Sequence, residues 1–198
     1  MKAVVRDIVV VVSVMLLAVS TTLYLKFMWF PEQNLRSLID FYLRIMANLN
    51  SSGVKDNMTA QLGHDYNFTE LIVWENNRLV FGSNPDGRVE DPMQILENGM
   101  GKCGEFSIVY VSACLALGYQ ARIVVATNTT SWVDVHLWAE VYYNNSWVHV
   151  DPSSEVWNKP SMYQYSPWSK GIGQDIRIYA FEDGKYEDMT QYYKNSNS

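Results

Sequence analysis

Cysteine is scarce in this chain of 198 residues, which has only Cys103 and Cys114. Two cysteines cannot build a disulfide framework or a cysteine-rich zinc site. On one straight helix they would lie about 16 Å apart, at a rise of about 1.5 Å per residue, which excludes a disulfide between them. The fold must therefore be held together by a hydrophobic core, for which 48% of hydrophobic residues is ample.

Runs of basic residues are also missing. The chain has 15 lysines and arginines against 21 acidic residues, which gives a net charge of −6. Nucleic acids bind basic surfaces, so the charge pattern argues against a nucleic-acid partner. The three histidines, His64, His136 and His149, show no metal-ligand spacing such as HExxH. The sequence predicts no metal site and no cofactor.

The N-terminus contains a long hydrophobic run. Residues Ile8 to Leu25 are 18 in number and carry no charge. This length is enough to span a bilayer, so we predict a transmembrane anchor over residues 1–30. A cleaved signal peptide and a buried core helix are the alternatives. Basic residues flank the run on both sides, so they indicate no orientation.

Potential glycosylation triplets favour a location outside the cytoplasm. An Asn-x-Ser/Thr triplet occurs five times in the chain. Such triplets are used only in proteins that enter the secretory route. We therefore expect a membrane-anchored protein with an extracytoplasmic domain. The five asparagines are Asn50, Asn57, Asn67, Asn128 and Asn144.

The organisation that follows the anchor has three predicted parts. Residues 31–49 have apolar side chains at helical spacing, with Pro31 suited to the first turn, and residues 50–69 are polar. We predict a juxtamembrane helix and a polar loop over 31–69. The main domain is predicted over 70–193, and residues 194–198 are predicted to be a disordered tail.

The main domain begins with helical patterns and ends with strand patterns. An apolar stretch over 105–117, closed by Gly118, predicts a central helix that is covered on all sides. Alternating stretches after it predict antiparallel strands, with turns at 144–146 and at Asp183-Gly184. Helices followed by antiparallel strands predict an α+β fold.

Cys103 lies at the start of the predicted central helix. A helix N-terminus stabilises a thiolate through its free N–H groups and its dipole. A nucleophilic thiol also needs an imidazole and a carboxylate that orients it. His136 begins one predicted strand and Asp151 ends the next, so a hairpin would bring both to one end of the sheet. The alternative is that Cys103 is a small structural residue.

His149 and Cys114 are the other candidates for the imidazole and the nucleophilic thiol. His149 shares strand parity with Asp151 and is the rival histidine, although a structural role is favoured for it. Cys114 lies deep within the apolar helix pattern, where a core role is favoured.

Three segments, in order from Glu90 to Tyr193, resemble the transglutaminase-like superfamily of papain-like thiol enzymes. Within it they are most similar to the catalytic core of peptide:N-glycanases. The resemblance implies a helix that carries the cysteine, packed on an antiparallel sheet that carries the histidine and the aspartate. The segments are "GKCGEFSIVYVSACLALGYQARIVV", "VHLWAEVYYNNSWVHVDPSSEVWNKP" and "IRIYAFEDGKYEDMTQYY".

The resemblance implies a role for each matching residue. Cys103 corresponds to the nucleophile, His136 to the general base and acid, and Asp151 to the orienting carboxylate. Four more residues are implied to line the substrate cleft: Trp138, Trp147, Arg122 and Glu155.

The chain departs from the glycanase pattern in several places. Phe106 stands where that family has tryptophan, and Glu155 follows Asp151 by four residues instead of three. The paired CxxC zinc motif of the family is absent, so no metal is implied.

The expected function is a membrane-tethered, cysteine-dependent amide hydrolase or acyltransferase that acts on a peptide or glycopeptide through a thioester. The second oxyanion donor beside the Cys103 backbone N–H is expected to be Trp74 or Gln94. A protein-cross-linking transglutaminase and a non-catalytic peptide- or glycan-binding module are the alternatives. The oligomeric state is not predicted.

Overall fold

The computed structural model describes residues 2–49, 51–62, 67–129, 133–157 and 176–195. The chain divides into two compact units, residues 1–39 and 40–198. The first unit is helical and belongs to α1 (Lys2–Ala47), which ends in the second unit. Pro31 lies inside this helix, so the prediction that it begins a separate helix is wrong.

A transmembrane helix is not supported by the structure. Within the described residues, no helix combines the length and the apolar character needed to cross a bilayer. The anchor over residues 1–30 stays a prediction from the sequence.

The second unit contains short helices and two sheets. The predicted polar loop over 50–69 is wrong for α2, where Val54 and Met58 turn one face into the core. Its helical period was hidden by the polar residues on the outer face. The elements before the central helix are α2 (Ser51–Leu62), α3 (Phe68–Asn76), β1 (Val80–Phe81), α4 (Pro92–Asn98) and β2 (Met100–Gly101).

The central helix α5 (Cys103–Ala116) is found where the sequence predicts it. Every side chain from Glu105 to Cys114 is buried. The helix packs on two strands of the main sheet and on α2, α3 and α4, which explains why its apolar residues are not confined to one face.

The main sheet has six antiparallel strands in the order β6-β5-β4-β3-β7-β8. The α+β prediction is therefore confirmed. The β4–β5 turn contains Asn144 and Asn145, both with positive φ, as tight hairpins require. The strands are β3 (Gln120–Asn128), β4 (Val133–Tyr143), β5 (Ser146–Asp151), β6 (Val156–Trp157), β7 (Ile176–Glu182) and β8 (Lys185–Asp188).

The chain after β5 is described only in part. A 3₁₀ turn, Pro152–Ser154, links β5 to β6, and the aromatic-rich residues 158–175 lie outside the described residues. The last element that the structure describes is the helix α6 (Thr190–Asn195). The predicted disordered tail over 194–198 is therefore wrong for its first two residues, and residues 196–198 lie outside the described part.

The backbone at Gly101 lies close to the first turn of α5, and a substitution at this position tests how closely it packs. A Cβ atom on Gly101 would lie 2.5 Å from the Cβ of Glu105, whereas one on Gly82 would have its nearest contact at 3.4 Å. We expect Gly101→Ala to lower the free energy of unfolding by about 1–3 kcal/mol, because a rigid overlap must be relieved. Gly82→Ala, the control, should change it by less than about 0.5 kcal/mol. Urea denaturation measures both, and equal midpoints would contradict the expected crowding.

Candidate active site

Cys103 is the first residue of α5 and is half-buried. The residue before it, Lys102, has an extended backbone, and its N–H donates to Oε2 of Glu105 at 3.0 Å. This return contact caps the first turn. The thiol therefore lies at a fixed helix N-terminus, where the dipole favours a negative charge.

His136 and Asp151 are in direct contact. Nε2 of His136 lies 2.6 Å from Oδ2 of Asp151. The register that pairs Ala139 with Val150 places Asp151 opposite Trp138, so His136 reaches it along the diagonal between the strands. Diagonal neighbours on one face of a sheet are close enough for long side chains to meet. The hairpin therefore brings the imidazole and the carboxylate together, as the strand spacing predicts.

Asp151 is held on both of its oxygens. Its side chain is fully buried, and Oδ1 accepts a hydrogen bond of 2.7 Å from the hydroxyl of Ser153. Both oxygens therefore have donors, which fixes the plane of the carboxylate. Ser153 was not predicted from the sequence, although a serine two residues after an aspartate is a common turn partner.

The pKa of His136 is raised by its two neighbours. Burial by itself lowers this pKa, but hydrogen bonds with Asp151 and Cys103, and the charges of both groups, raise it to about 9. Because Nε2 faces Asp151, Nδ1 is the nitrogen left to interact with the thiol. The imidazole is therefore placed to hold a proton between a carboxylate and a sulfur at neutral pH.

Glu75 is a second buried carboxyl near the site. It is fully buried, and within the described part of the chain neither of its oxygens has a hydrogen-bond partner. Burial raises the pKa of Glu75 well above 4.5, and the charge of Asp151 raises it further. In the sequence, Glu75 is the single acidic residue at the end of the apolar run "LIVWE", a pattern that indicates a carboxyl near the core. Burial and the nearby Asp151 side chain therefore both favour the protonated form of Glu75.

The rival residues have other surroundings. His149 is buried with its ring centroid 6.0 Å from that of Trp138, and burial lowers the pKa of His149 to about 4. It is therefore neutral at pH 7. Cys114 is fully buried, and burial raises its pKa far above the usual range, so it stays a thiol. His64 lies outside the described residues.

The four predicted cleft residues differ in their exposure to solvent. Arg122 and Trp138 are buried, and neither exposes surface to a ligand in this structure. Trp147 is half-buried with the Arg122 guanidinium 4.0 Å above its ring. Glu155 is exposed and has a left-handed backbone at the end of the 3₁₀ turn. Substrate contact by these residues stays a prediction.

A cleft of about 370 Å³ lies beside the site. It is lined by Lys102 and Gly104, which flank Cys103 in the chain, and by Leu137, which follows His136. Its remaining lining residues are Ser83, Asn84, Gly87, Arg88 and Glu105. The volume is at the lower end of the range for small-ligand pockets, so it can hold a segment of a larger substrate.

A family model described as the transglutaminase-like superfamily matches residues 53–152, half of the chain. The chain belongs to the transglutaminase-like superfamily. The matched residues include Cys103, His136 and Asp151, and they also include most of α2.

Curated relatives within this superfamily are peptide-N4-(N-acetyl-β-glucosaminyl)asparagine amidases, which are peptide:N-glycanases. The Drosophila melanogaster enzyme is 38% identical over 110 residues, which are 54% of this chain and 16% of that enzyme. The Gallus gallus enzyme is 34% identical over 108 residues, 54% of this chain and 15% of that enzyme. The aligned part thus spans about a sixth of the length of these relatives.

Solved structures show the same fold at low identity. A Rad4–Rad23 complex bound to a 6-4 photoproduct lesion aligns with a TM-score of 0.53 at 11% identity, over 88% of this chain and 49% of that chain. A predicted protease from Parabacteroides distasonis aligns with a TM-score of 0.50 at 12% identity, over 76% and 29% of the two chains. Proteins of very different description therefore share the transglutaminase-like fold.

Replacing Asp151 tests the cause of the high pKa of His136. In Asp151→Asn the carboxylate charge is lost, so the pKa of His136 should fall from about 9 towards its ordinary value near 6.5. NMR titration of the imidazole ring protons measures it. Asp183→Asn, in an exposed turn, is the control and should leave the titration unchanged. An unchanged titration in Asp151→Asn would contradict the assigned cause.

Glu75 makes stability fall as pH rises. Its pKa is higher in the folded than in the unfolded protein, so the folded state holds a proton that the unfolded state releases above about pH 4.5. Glu75→Met should raise the free energy of unfolding by about 1–3 kcal/mol at pH 7.5 and by less at pH 4. Denaturant titrations at both pH values measure the difference. The exposed control Glu97→Met should show no such pH dependence, and a matching result for both variants would contradict it.

Proposed function

We propose that this protein is a cysteine-dependent amide hydrolase or acyltransferase that uses Cys103, His136 and Asp151. The observation that carries the proposal is the position of one imidazole between a buried carboxylate, 2.6 Å from Nε2, and a thiol at a helix N-terminus. A base oriented by a third group is the arrangement that activates a nucleophile.

In the first step the thiolate of Cys103 attacks the carbonyl carbon of an amide. The imidazolium of His136 then donates its proton to the leaving amine nitrogen as the C–N bond breaks, which leaves a thioester. In the second step His136 removes a proton from water, or from an amine, and this nucleophile attacks the thioester. The acid or the new amide is released, and the thiol is restored.

The oxyanion of each tetrahedral intermediate needs two donors. The backbone N–H of Cys103 is the first, because the N–H groups of the first turn of α5 have no partner within the helix. Trp74 is favoured over Gln94 as the second. The indole N–H of Trp74 is buried without an acceptor among the residues that the structure describes, whereas Gln94 is exposed and its amide donates to Asp86 at 3.4 Å.

We propose an asparagine side-chain amide within a peptide or glycopeptide as the substrate class. The names of the curated relatives support the glycan-linked amide, since they are amidases of N-acetyl-glucosaminyl asparagine. Polar side chains in the cleft lining, such as Ser83 and Lys102, support a substrate that carries polar groups. A peptide amide and an amine acceptor share the same chemistry and are outcomes of the test. Membrane tethering and an extracytoplasmic position stay predictions from the sequence alone.

A panel of three substrates tests the proposal. The full chain is incubated with an N-glycopeptide, with the same peptide without glycan, and with the peptide plus a primary amine. Mass spectrometry reports Asn→Asp conversion with glycan release, chain cleavage, or amine incorporation. We expect a mass change in at least one arm, and its loss by a factor of at least about 10³ in Cys103→Ala, since no other group replaces the nucleophile.

Cys114→Ala is the matched control, because it removes the other thiol from the same helix. It should retain the activity, since Cys114 is buried and protonated. Iodoacetamide should also label Cys103 much faster than Cys114 in the native protein. No mass change in any arm, or equal labelling of both thiols, would favour a non-catalytic binding module instead.

A further inference from the structure

Four buried side chains form a connected polar cluster on one face of the main sheet. Arg122 pairs with Glu140 across β3 and β4, and the same register pairs Val124 with Trp138 and Ala126 with His136. Paired residues of antiparallel strands point to the same side, and every second residue does so along a strand. Arg122, Glu140 and Trp138 therefore share a face with His136.

The helix α6 covers this face. Its Tyr193 is fully buried against Trp138 in a cluster of apolar residues from β3, β4 and β7. The Trp138 and Tyr193 rings meet edge to face, with centroids 5.2 Å apart. The last helix of the described chain is thus packed directly behind the strand that carries the imidazole.

The hydrogen bonds of this cluster have defined directions. Arg122 donates from Nε to Oε2 of Glu140 at 2.7 Å, and Tyr193 donates its hydroxyl proton to Oε1 of the same carboxylate. Trp138 donates its indole N–H to the hydroxyl oxygen of Tyr193 at 2.9 Å. Burial and the charge of Glu140 raise the pKa of Tyr193 well above its ordinary value, so the phenol keeps the proton that it donates.

These bonds fix the plane of the Trp138 ring. An indole has one donor, and here it must point at the hydroxyl of Tyr193, which is itself held by the carboxylate that Arg122 anchors. The Trp138 ring in turn lies stacked on the imidazole of His136, with centroids 5.9 Å apart and an interplanar angle of 29°. The imidazole therefore has a rigid surface along its plane as well as a carboxylate at its edge.

We infer that Tyr193 is a positioning residue for His136, which it orients through Trp138. Asp151 fixes one nitrogen of the imidazole but leaves rotation about that hydrogen bond open. The stacked indole limits this rotation and so keeps the other nitrogen directed at Cys103. The inference deepens the proposed function and rests on it for its catalytic consequence.

Apolar packing alone does not require this arrangement. A phenylalanine at 193 would fill the same apolar cluster, and burying a carboxylate and a guanidinium costs stability unless all their groups are satisfied. Here the hydrogen bonds among the four side chains, together with a bond of 3.0 Å from Arg122 to Glu187, satisfy the buried charges and direct the indole N–H at Tyr193. The hydrogen bonds therefore act on the orientation of Trp138 and His136, and the orientation of a reacting group strongly affects the reaction rate.

Tyr193→Phe removes the hydroxyl and keeps the ring. Tyr192→Phe is its matched control, because Tyr192 is the preceding residue of the same helix and is half exposed to solvent. We expect Tyr193→Phe to lower kcat on the active substrate about tenfold with KM unchanged, since the site is intact but its base is less well aligned. Tyr192→Phe should match the unchanged protein in both constants.

Two measurements separate positioning from a loss of fold, and neither needs a substrate. The first is the NMR titration of His136, whose pKa should shift in Tyr193→Phe as the contacts with Cys103 and Asp151 loosen. The second is the rate of Cys103 alkylation by iodoacetamide against pH, whose profile should shift in the same variant. Thermal unfolding of each variant reports whether the fold is retained.

A double-mutant cycle tests the route through the indole. Trp138→Phe keeps an aromatic ring but loses the N–H donor, so it should change the titration in the same direction as Tyr193→Phe. If Tyr193 acts through Trp138, the double variant should be no worse than Trp138→Phe alone. Additive effects would overturn the route. If Tyr193→Phe is too unstable to study, the His136 titration of Trp138→Phe alone tests the role of the indole N–H, and an unchanged titration would overturn the route.

The outcomes keep this inference apart from the proposed function. An unchanged His136 titration and alkylation profile in Tyr193→Phe would overturn the positioning role, whatever the substrate panel shows. Equal amide conversion by the unchanged protein and Cys103→Ala would overturn the proposed chemistry. It would leave the titration and alkylation results as a valid test of whether Tyr193 orients the imidazole.

Discussion

The contact between His136 and Asp151 is the interaction on which the rest of the site depends. It joins two strands at the end of one hairpin, 15 positions apart in the chain, with 2.6 Å between Nε2 and Oδ2. Because the carboxylate is fully buried, it is shielded from water and its effect on the imidazole is strong. The hairpin register, the donor from Ser153 and the surrounding core all serve to keep these two groups in contact.

Charge is distributed unevenly around this contact. Asp151 and Glu140 are buried with donors on their oxygens, whereas Glu75 is buried without a donor among the described residues. An unsatisfied buried carboxyl is costly when ionised, so burial favours the protonated form of Glu75. The site thus combines a hydrogen-bonded carboxylate, Asp151, with a buried carboxyl that favours its neutral form, Glu75. A pKa that differs between the folded and the unfolded protein makes the free energy of unfolding depend on pH.

Much of the fold could be predicted from local pattern. The apolar run of α5, the alternation in β4 and β5 and the Asp-Gly turn after β7 are all short-range signals, and each element is where the sequence places it. Prediction from local pattern failed at α2, where polar residues on the outer face conceal two core positions. It also failed at Pro31, which lies within a longer helix. In α2 and at Pro31, tertiary packing and the continuity of the helix outweigh the local propensities of the residues.

The sequence by itself determined the superfamily and the three residues of the proposed triad, because motif spacing and hairpin parity are properties of the chain order. Only the tertiary structure decided what surrounds them. Arg122, predicted to line the cleft, is buried with Glu140, and Trp138 is buried between Tyr193 and His136. The hydrogen-bond partners of Arg122 and Trp138 come from 18 to 67 positions away, and only packing brings such distant residues together.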